Sequence, residues 1–157
     1  MIEARVRIHI ARNPEDTFAF FVDLRNEPAY NAQVRRITKT SSGPIGPGTS
    51  FEGEHVGFGR VTWHLREFEA PRHVVIEGEV GGSPYRWVGD FAPSGDGTDM
   101  IGRMQWEPQG VWRALGPLAR VLLAFNARRA FGRFRDTLEQ SDPSRWASPP
   151  QRHLRAK

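Results

Sequence analysis

Residues Ser50 to Glu107 read SFEGEHVGFGRVTWHLREFEAPRHVVIEGEVGGSPYRWVGDFAPSGDGTDMIGRMQWE, runs of alternating apolar and polar residues cut by turn signals. The turns are Gly57-Phe58-Gly59, Ala70-Pro71-Arg72, Gly81-Gly82-Ser83-Pro84 and Ser94-Gly95-Asp96-Gly97. Each reverses the chain, which predicts antiparallel strands over 50–56, 60–68, 73–80, 85–92 and 98–107. Side chains in a strand alternate between two faces. One face of this sheet therefore reads Gly53, Trp63, Gly78, Trp87, Met104, with Phe51, Leu65, Ile76, Gly89, Gly102 in the row beside it. That face is apolar and aromatic, yet Gly53, Gly78, Gly89 and Gly102 put no side chain on it. Glycine weakens a strand, so an inner face holding this many needs a reason. A sheet that curves around an internal cavity supplies one. Trp63 and Trp87 would cover Gly53 and Gly78 at a bend without any ligand. Gly89 and Gly102 face each other with no aromatic between them, and are predicted to mark open volume.

Outward from this core, Glu3 to Ile10 alternates Val6, Ile8, Ile10 against Arg5, Arg7, His9, a half-buried strand. Asn13-Pro14-Glu15-Asp16 then starts a short helix, with Asn13 as N-cap, Pro14 in the first turn and acidic residues toward the positive end of the dipole. Phe18, Phe21 and Val22 form its buried side. Pro28-Ala29-Tyr30-Asn31 suggests a second short helix or turn, and Val34 to Thr40 a further strand. After the sheet, a long helix runs from about Pro117 to Gln140. Its apolar stripe is Leu115, Leu118, Leu122, Phe125, Ala130, Phe134 and Leu138, near helical spacing. A lone amphipathic helix must bury its stripe, and the inner face of the sheet is the large apolar partner available. The predicted fold is α+β, about seven antiparallel strands wrapped around this helix, with residual space between them as the cavity. Residues 1–140 form the domain; 141–157, rich in Pro, Ser and Arg, are predicted to be a disordered basic tail that contributes nothing to the fold.

At 157 residues, with 38% hydrophobic and 25% charged residues, the chain has the size and composition of one soluble domain. The chain opens directly into an alternating run and not a signal peptide, and no apolar stretch approaches the roughly 20 residues that span a bilayer. The cytoplasm is the expected compartment. Absence of cysteine excludes disulfides, thiolate catalysis and cysteine-based metal sites. The tail carries a net +3 of the whole-chain +4, leaving the domain near neutral. A broad basic surface is therefore absent, and no nucleic acid is expected as partner.

The segment Val6-Arg7-Ile8-His9-Ile10-Ala11-Arg12-Asn13-Pro14-Glu15-Asp16-Thr17-Phe18-Ala19-Phe20-Phe21-Val22-Asp23 resembles the opening of the SRPBCC (START/Bet v 1-like) superfamily, and more narrowly its polyketide cyclase/dehydrase branch. Gly46-Pro47-Gly48-Thr49-Ser50-Phe51, Glu67-Phe68-Glu69-Ala70-Pro71 and Gly97-Thr98 fall where that family has its loop and turn signatures. The resemblance covers nearly all of 1–140. It implies a helix-grip fold with a deep pocket, in a family whose members bind lipids, hormones, polyketides or quinones and of which only some are enzymes. Tyr30 stands where many relatives carry Trp after the second helix.

An inner wall of Trp63, Trp87 and Met104, with Leu122 from the helix and space at Gly89 and Gly102, suits a small apolar or aromatic molecule. Its polar points are fewer. The alternation turns His55 inward opposite Val61, where it is either a core histidine bonded to backbone or a polar anchor able to exchange a proton. Asn126 lies along the helix stripe and must find a partner, in the protein or in a ligand. Tyr30 and Tyr85 offer hydroxyls, or are rim aromatics. His9 and His64 fall on the outer face, and no inward cluster of His with carboxylates suggests a metal. No catalytic residue, metal or cofactor is assigned from sequence, as there is no nucleophile elbow, no placeable Ser/His/Asp set and no phosphate loop. A cyclase working by shape, one donor and one weak base stays open, with His55, Tyr30 and Asn126 as its candidates. So does a homodimer. Arg113, Arg120, Arg128 and Arg135 on the helix form a solvated face, or one that meets an acidic partner or an anionic membrane.

Overall fold

The computed structural model describes residues 1–147. Seven strands form one antiparallel sheet: β1 (Ile2–Ile10), β2 (Val34–Lys39), β3 (Ser50–His55), β4 (Gly59–Glu69), β5 (His73–Val80), β6 (Ser83–Ser94) and β7 (Gly97–Trp106). Their spatial order is β1-β7-β6-β5-β4-β3-β2, so only the pairing of β1 with β7 joins distant segments. Helix α1 (Pro14–Val22) and a 3₁₀ turn (Leu24–Ala29) fill the crossover between β1 and β2. A short helix, α2 (Val111–Ala114), leads into α3 (Gly116–Gln140), which closes over the sheet. This is the expected α+β architecture.

Two of the expected registers hold: Trp63 faces Gly78, and Trp87 and Gly89 face Met104 and Gly102. The other two slip by two residues, so that Phe51 faces Trp63, His55 faces Gly59, and Ile76 faces Trp87. A slip of two keeps every side chain on its predicted face, which is why the inner row survives it. Tight turns decided the slip: Gly57 and Gly59, Gly81 and Gly82 all take positive φ, shortening the connections. A bulge at Arg66 in β4 bends the sheet and brings both Leu65 and Phe68 onto the core.

The glycine pair corrects the sequence reading. A Cβ on Gly102 would run into the Trp87 ring, and one on Gly89 would stand 3.1 Å from Trp87 Nε1 and 3.2 Å from Phe91. Gly89 and Gly102 are therefore not cavity wall. They are the bed on which the Trp87 indole lies, Gly89 on its own strand and Gly102 on the adjacent one.

The segment after α3 is a second correction. Trp146 is 5% exposed, packs edge-on against Phe20 at 5.0 Å, and its Nε1 donates to Ser141 Oγ at 2.8 Å. Ala147 N donates to Asn26 Oδ1. Residues 141–147 are thus part of the domain, because one indole buries enough apolar surface to offset ordering the few residues before it. The rest of the expected tail, 148–157, lies outside the described residues.

The long helix departs from its predicted stripe. Phe134 and Leu138 are fully buried and Ala130 half-buried, but Leu115, Leu118, Leu122 and Phe125 are exposed. The buried line runs through Leu123, Ala127, Phe131, Phe134 and Leu138. The helix therefore carries two apolar faces, and only the second meets the sheet.

Candidate ligand-binding site

Between the sheet and the first half of α3 lies a chamber of about 470 Å³. Trp63, Ile76, Trp87 and Met104 from the sheet form its floor, and Leu122, Leu123, Asn126, Ala127 and Phe131 from α3 its roof. At one end Phe131 stacks on Trp87, centroids 5.0 Å apart and rings nearly parallel, and closes the chamber against the packed core. At the other, Phe58 from the β3–β4 turn meets Trp112 of α2 at 4.5 Å and Trp106 at 5.4 Å. Tyr30, His55, Trp63, Trp87, Met104, Leu122 and Asn126 all border the chamber; Gly89 and Gly102 do not.

The polar wall comes from the turn after α1. Asp23 accepts from Arg25 N and holds the Arg25 guanidinium through both carboxylate oxygens, while Asn26 Nδ2 donates to Phe20 O. These bonds fix the 3₁₀ turn, whose end presents Glu27, Tyr30 and Asn31 to the chamber. Asn31 Nδ2 donates to Glu27 Oε1 at 2.9 Å. Burial of the carboxyl pushes Glu27 up to about 7, against the smaller opposing effect of the Asn31 bond. Burial also raises Tyr30 and Tyr85, and the Glu27 charge raises both further. Both phenols therefore sense the Glu27 charge. Neither phenol hydroxyl has a hydrogen-bond partner among the described residues.

His55 is half-buried at the mouth, edge-on to Phe58 at 4.9 Å, with Nδ1 donating to Val56 O at 2.8 Å. Burial holds its pKa below the ordinary value, the backbone bond opposing it. The carbonyl on Nδ1 leaves Nε2 of the neutral ring as an acceptor. The Asn126 amide has no partner among the described residues. The indole N–H groups of Trp87 and Trp106 are buried without one as well.

Sequence reasoning missed Glu27, Asn31, Phe58, Trp106, Trp112 and Phe131. Trp106 was within reach, since it continues the inner parity of Gly102 and Met104. Glu27 had no such signal: nothing in a 3₁₀ turn tells which side chain looks inward.

A sheet gripping one helix, with a partly open and mostly apolar chamber between them, defines a helix-grip domain. The chain belongs to the polyketide cyclase / dehydrase and lipid transport family, which it matches over residues 1–139. No curated protein matches it. Among solved structures it is similar to TTHA0849 from Thermus thermophilus, with 20% identity over 87% of this chain and 96% of that one and a TM-score of 0.71. DynU16, a putative protein in the dynemicin biosynthetic locus, is similar at 13% identity over 93% of this chain and 50% of that one, TM-score 0.67. The di-domain ARO/CYC StfQ from the steffimycin biosynthetic pathway is similar at 12% over 88% and 50%, TM-score 0.68. At these identities the resemblance is one of fold. Among the described residues no helix is long and apolar enough to cross a membrane.

Proposed function

We propose that this protein binds one small apolar or aromatic molecule, of lipid, polyketide or quinone shape, in the chamber between sheet and α3. The observation that carries the reading is the chamber itself: about 470 Å³, walled by Trp63, Trp87, Trp106 and Met104, with few polar points. A concave aromatic wall favours flat, apolar ligands, and the isolated polar groups orient them. Asn126 and His55 Nε2 face a ligand as donor and acceptor at the roof and mouth. Tyr30 and Tyr85 offer phenols at the polar wall. Membership of the polyketide cyclase / dehydrase and lipid transport family supports a polyketide- or lipid-like ligand.

Titration with an environment-sensitive apolar dye tests this directly. Saturable one-to-one binding with quenched tryptophan emission is expected, and Ala127→Phe, which fills the roof, should abolish it. Absence of saturable binding by the wild type, or equal binding by that variant, would overturn the reading.

One observation favours catalysis in the same chamber. Glu27 is a carboxyl near pKa 7 beside two phenols, the acid/base strength that a cyclase or dehydratase needs at neutral pH. In this second reading Glu27 exchanges the proton, Tyr30 and Tyr85 orient the substrate carbonyl, and His55 and Asn126 hold its far end. Glu27→Gln should then stop turnover of an aromatic poly-β-ketone while leaving its binding intact. Turnover that survives Glu27→Gln would remove Glu27 from the catalytic role, and absence of turnover by the wild type would leave the binder reading alone.

A further inference from the structure

The first half of α3 presents apolar side chains to solvent at helical spacing. Leu118, Val121, Leu122 and Phe125 stand at i, i+3, i+4 and i+7, and Val121 is 66% exposed. The same outward face continues into Arg128, Arg129 and Arg133, all exposed. Arg129 lies 5.6 Å from the centre of the Phe125 ring, joining the two parts. From Pro108 to Arg135 there are six arginines and no acidic residue. Among the described residues, Arg128, Arg129 and Arg133 make no ion pair. A soluble domain leaves few contiguous apolar patches of this kind bare, and those it leaves mark contacts.

We propose that this outward face of α3 is a docking surface for an anionic lipid bilayer. An apolar stripe followed on the same face by a cluster of arginines suits a helix lying in the membrane plane. The stripe enters the headgroup boundary and the guanidinium groups meet phosphates. Each arginine near an anionic surface adds to the attraction. The charge pattern argues against a second copy as the occupant. A two-fold contact places a patch against itself, and this patch carries arginines with no acidic residue to meet them. The patch also shares Leu122 and Phe125 with the chamber rim, so a docked domain would hold its mouth beside the lipid.

Flotation of the full chain with vesicles of phosphatidylcholine alone, and of phosphatidylcholine mixed with phosphatidylglycerol, tests this without any bound ligand. Wild type should bind the anionic vesicles at least about tenfold more tightly, an advantage that shrinks with added salt. Leu118→Asp with Val121→Asp should lose that binding about tenfold or more, as should Arg128→Glu, Arg129→Glu and Arg133→Glu together. Neither set touches the chamber floor, so dye affinity should stay that of wild type and report an intact fold. Equal binding to both vesicles, or variants that bind like wild type, would overturn the proposal. So would a concentration-dependent dimer that Leu118→Asp with Val121→Asp dissociates, in a chain that ignores vesicles; the face would then belong to a second copy. A vesicle result of either sign leaves the dye titration, and the chamber reading, to stand or fall separately.

Discussion

The two halves of α3 share one helix, yet the sheet treats them differently. Around the C-terminal half every requirement of a folded interior is met. Phe134 is buried among Phe20, Phe21 and Tyr30, Leu138 is fully buried, and Trp146 folds back with its N–H bonded. Around the N-terminal half the requirements are repeatedly broken. Leucines and a phenylalanine face water, the Asn126 amide lacks a partner among the described residues, and across the chamber Glu27 is a half-buried carboxyl held toward its protonated form. Violations gathered at one end, with a well-packed core at the other, are the pattern of a protein that separates its stability from its site.

The separation breaks most clearly at Phe134. Phe134→Ala should cost about 4 kcal/mol of unfolding free energy, the usual range for an aromatic deleted from a packed core. Leu118→Ala, on the same helix, should cost less than about 0.5 kcal/mol. Chemical denaturation of both variants measures the contrast. Similar losses at the two positions would show that α3 is one packed unit and that the exposed face is covered in solution.

Trp146 sets the boundary of the stable half. Trp146→Ala should cost about 3 kcal/mol, toward the low end for a large aromatic because the site is peripheral. A melting temperature that stays within a degree or two of wild type would return 141–147 to the role of a tail.

Glu27 tests the other half. Its carboxyl is raised to about 7 in the folded protein, above the ordinary glutamate value of 4.5. The folded state therefore favours the protonated form. That advantage is complete below the ordinary value and is lost as pH rises through the window up to about 7. Stability should fall across that window by on the order of 2–3 kcal/mol and level off above it. Glu27→Gln should flatten the profile, leaving the variant more stable than wild type at pH 8. A wild-type profile without this slope would place the carboxyl in contact with water.

The fold was legible because alternation and turn residues act locally. Val61, Trp63 and Leu65, or Trp87 and Phe91, announce their face by parity, and a slip of two residues cannot change it. Trp63, Trp87 and Met104 reached the chamber floor on that basis alone. Gly89 and Gly102 were misread because parity fixes the face a glycine is on, and not how far a neighbouring indole reaches across it. The helix stripe was misread for a related reason: Leu122 and Phe125 suit either face, and only the position of the sheet decides. Trp146 is a lone aromatic without period, and Glu27 sits in a turn with none. Pattern carries no information where the structure has no repeat.

Asn126 gives the smallest effect and the finest division between the halves. It lies on α3 between the exposed and the buried faces, bordering the chamber, with an amide that no described residue satisfies. In a packed core such an amide would have a partner, and replacing it by leucine would strand that partner and destabilise the protein. Here there is no partner to strand, so Asn126→Leu should change stability by less than about 0.5 kcal/mol. Its effect should appear in binding instead. A ligand carrying an oxygen at the roof should lose about 1 kcal/mol of affinity, and a pure hydrocarbon nothing. Paired calorimetric titrations of wild type and variant, with a quinone and with its deoxygenated ring system, read that difference. Loss of affinity for both ligands alike would mean that leucine has reshaped the chamber, and equal affinity for the quinone would remove Asn126 from the site.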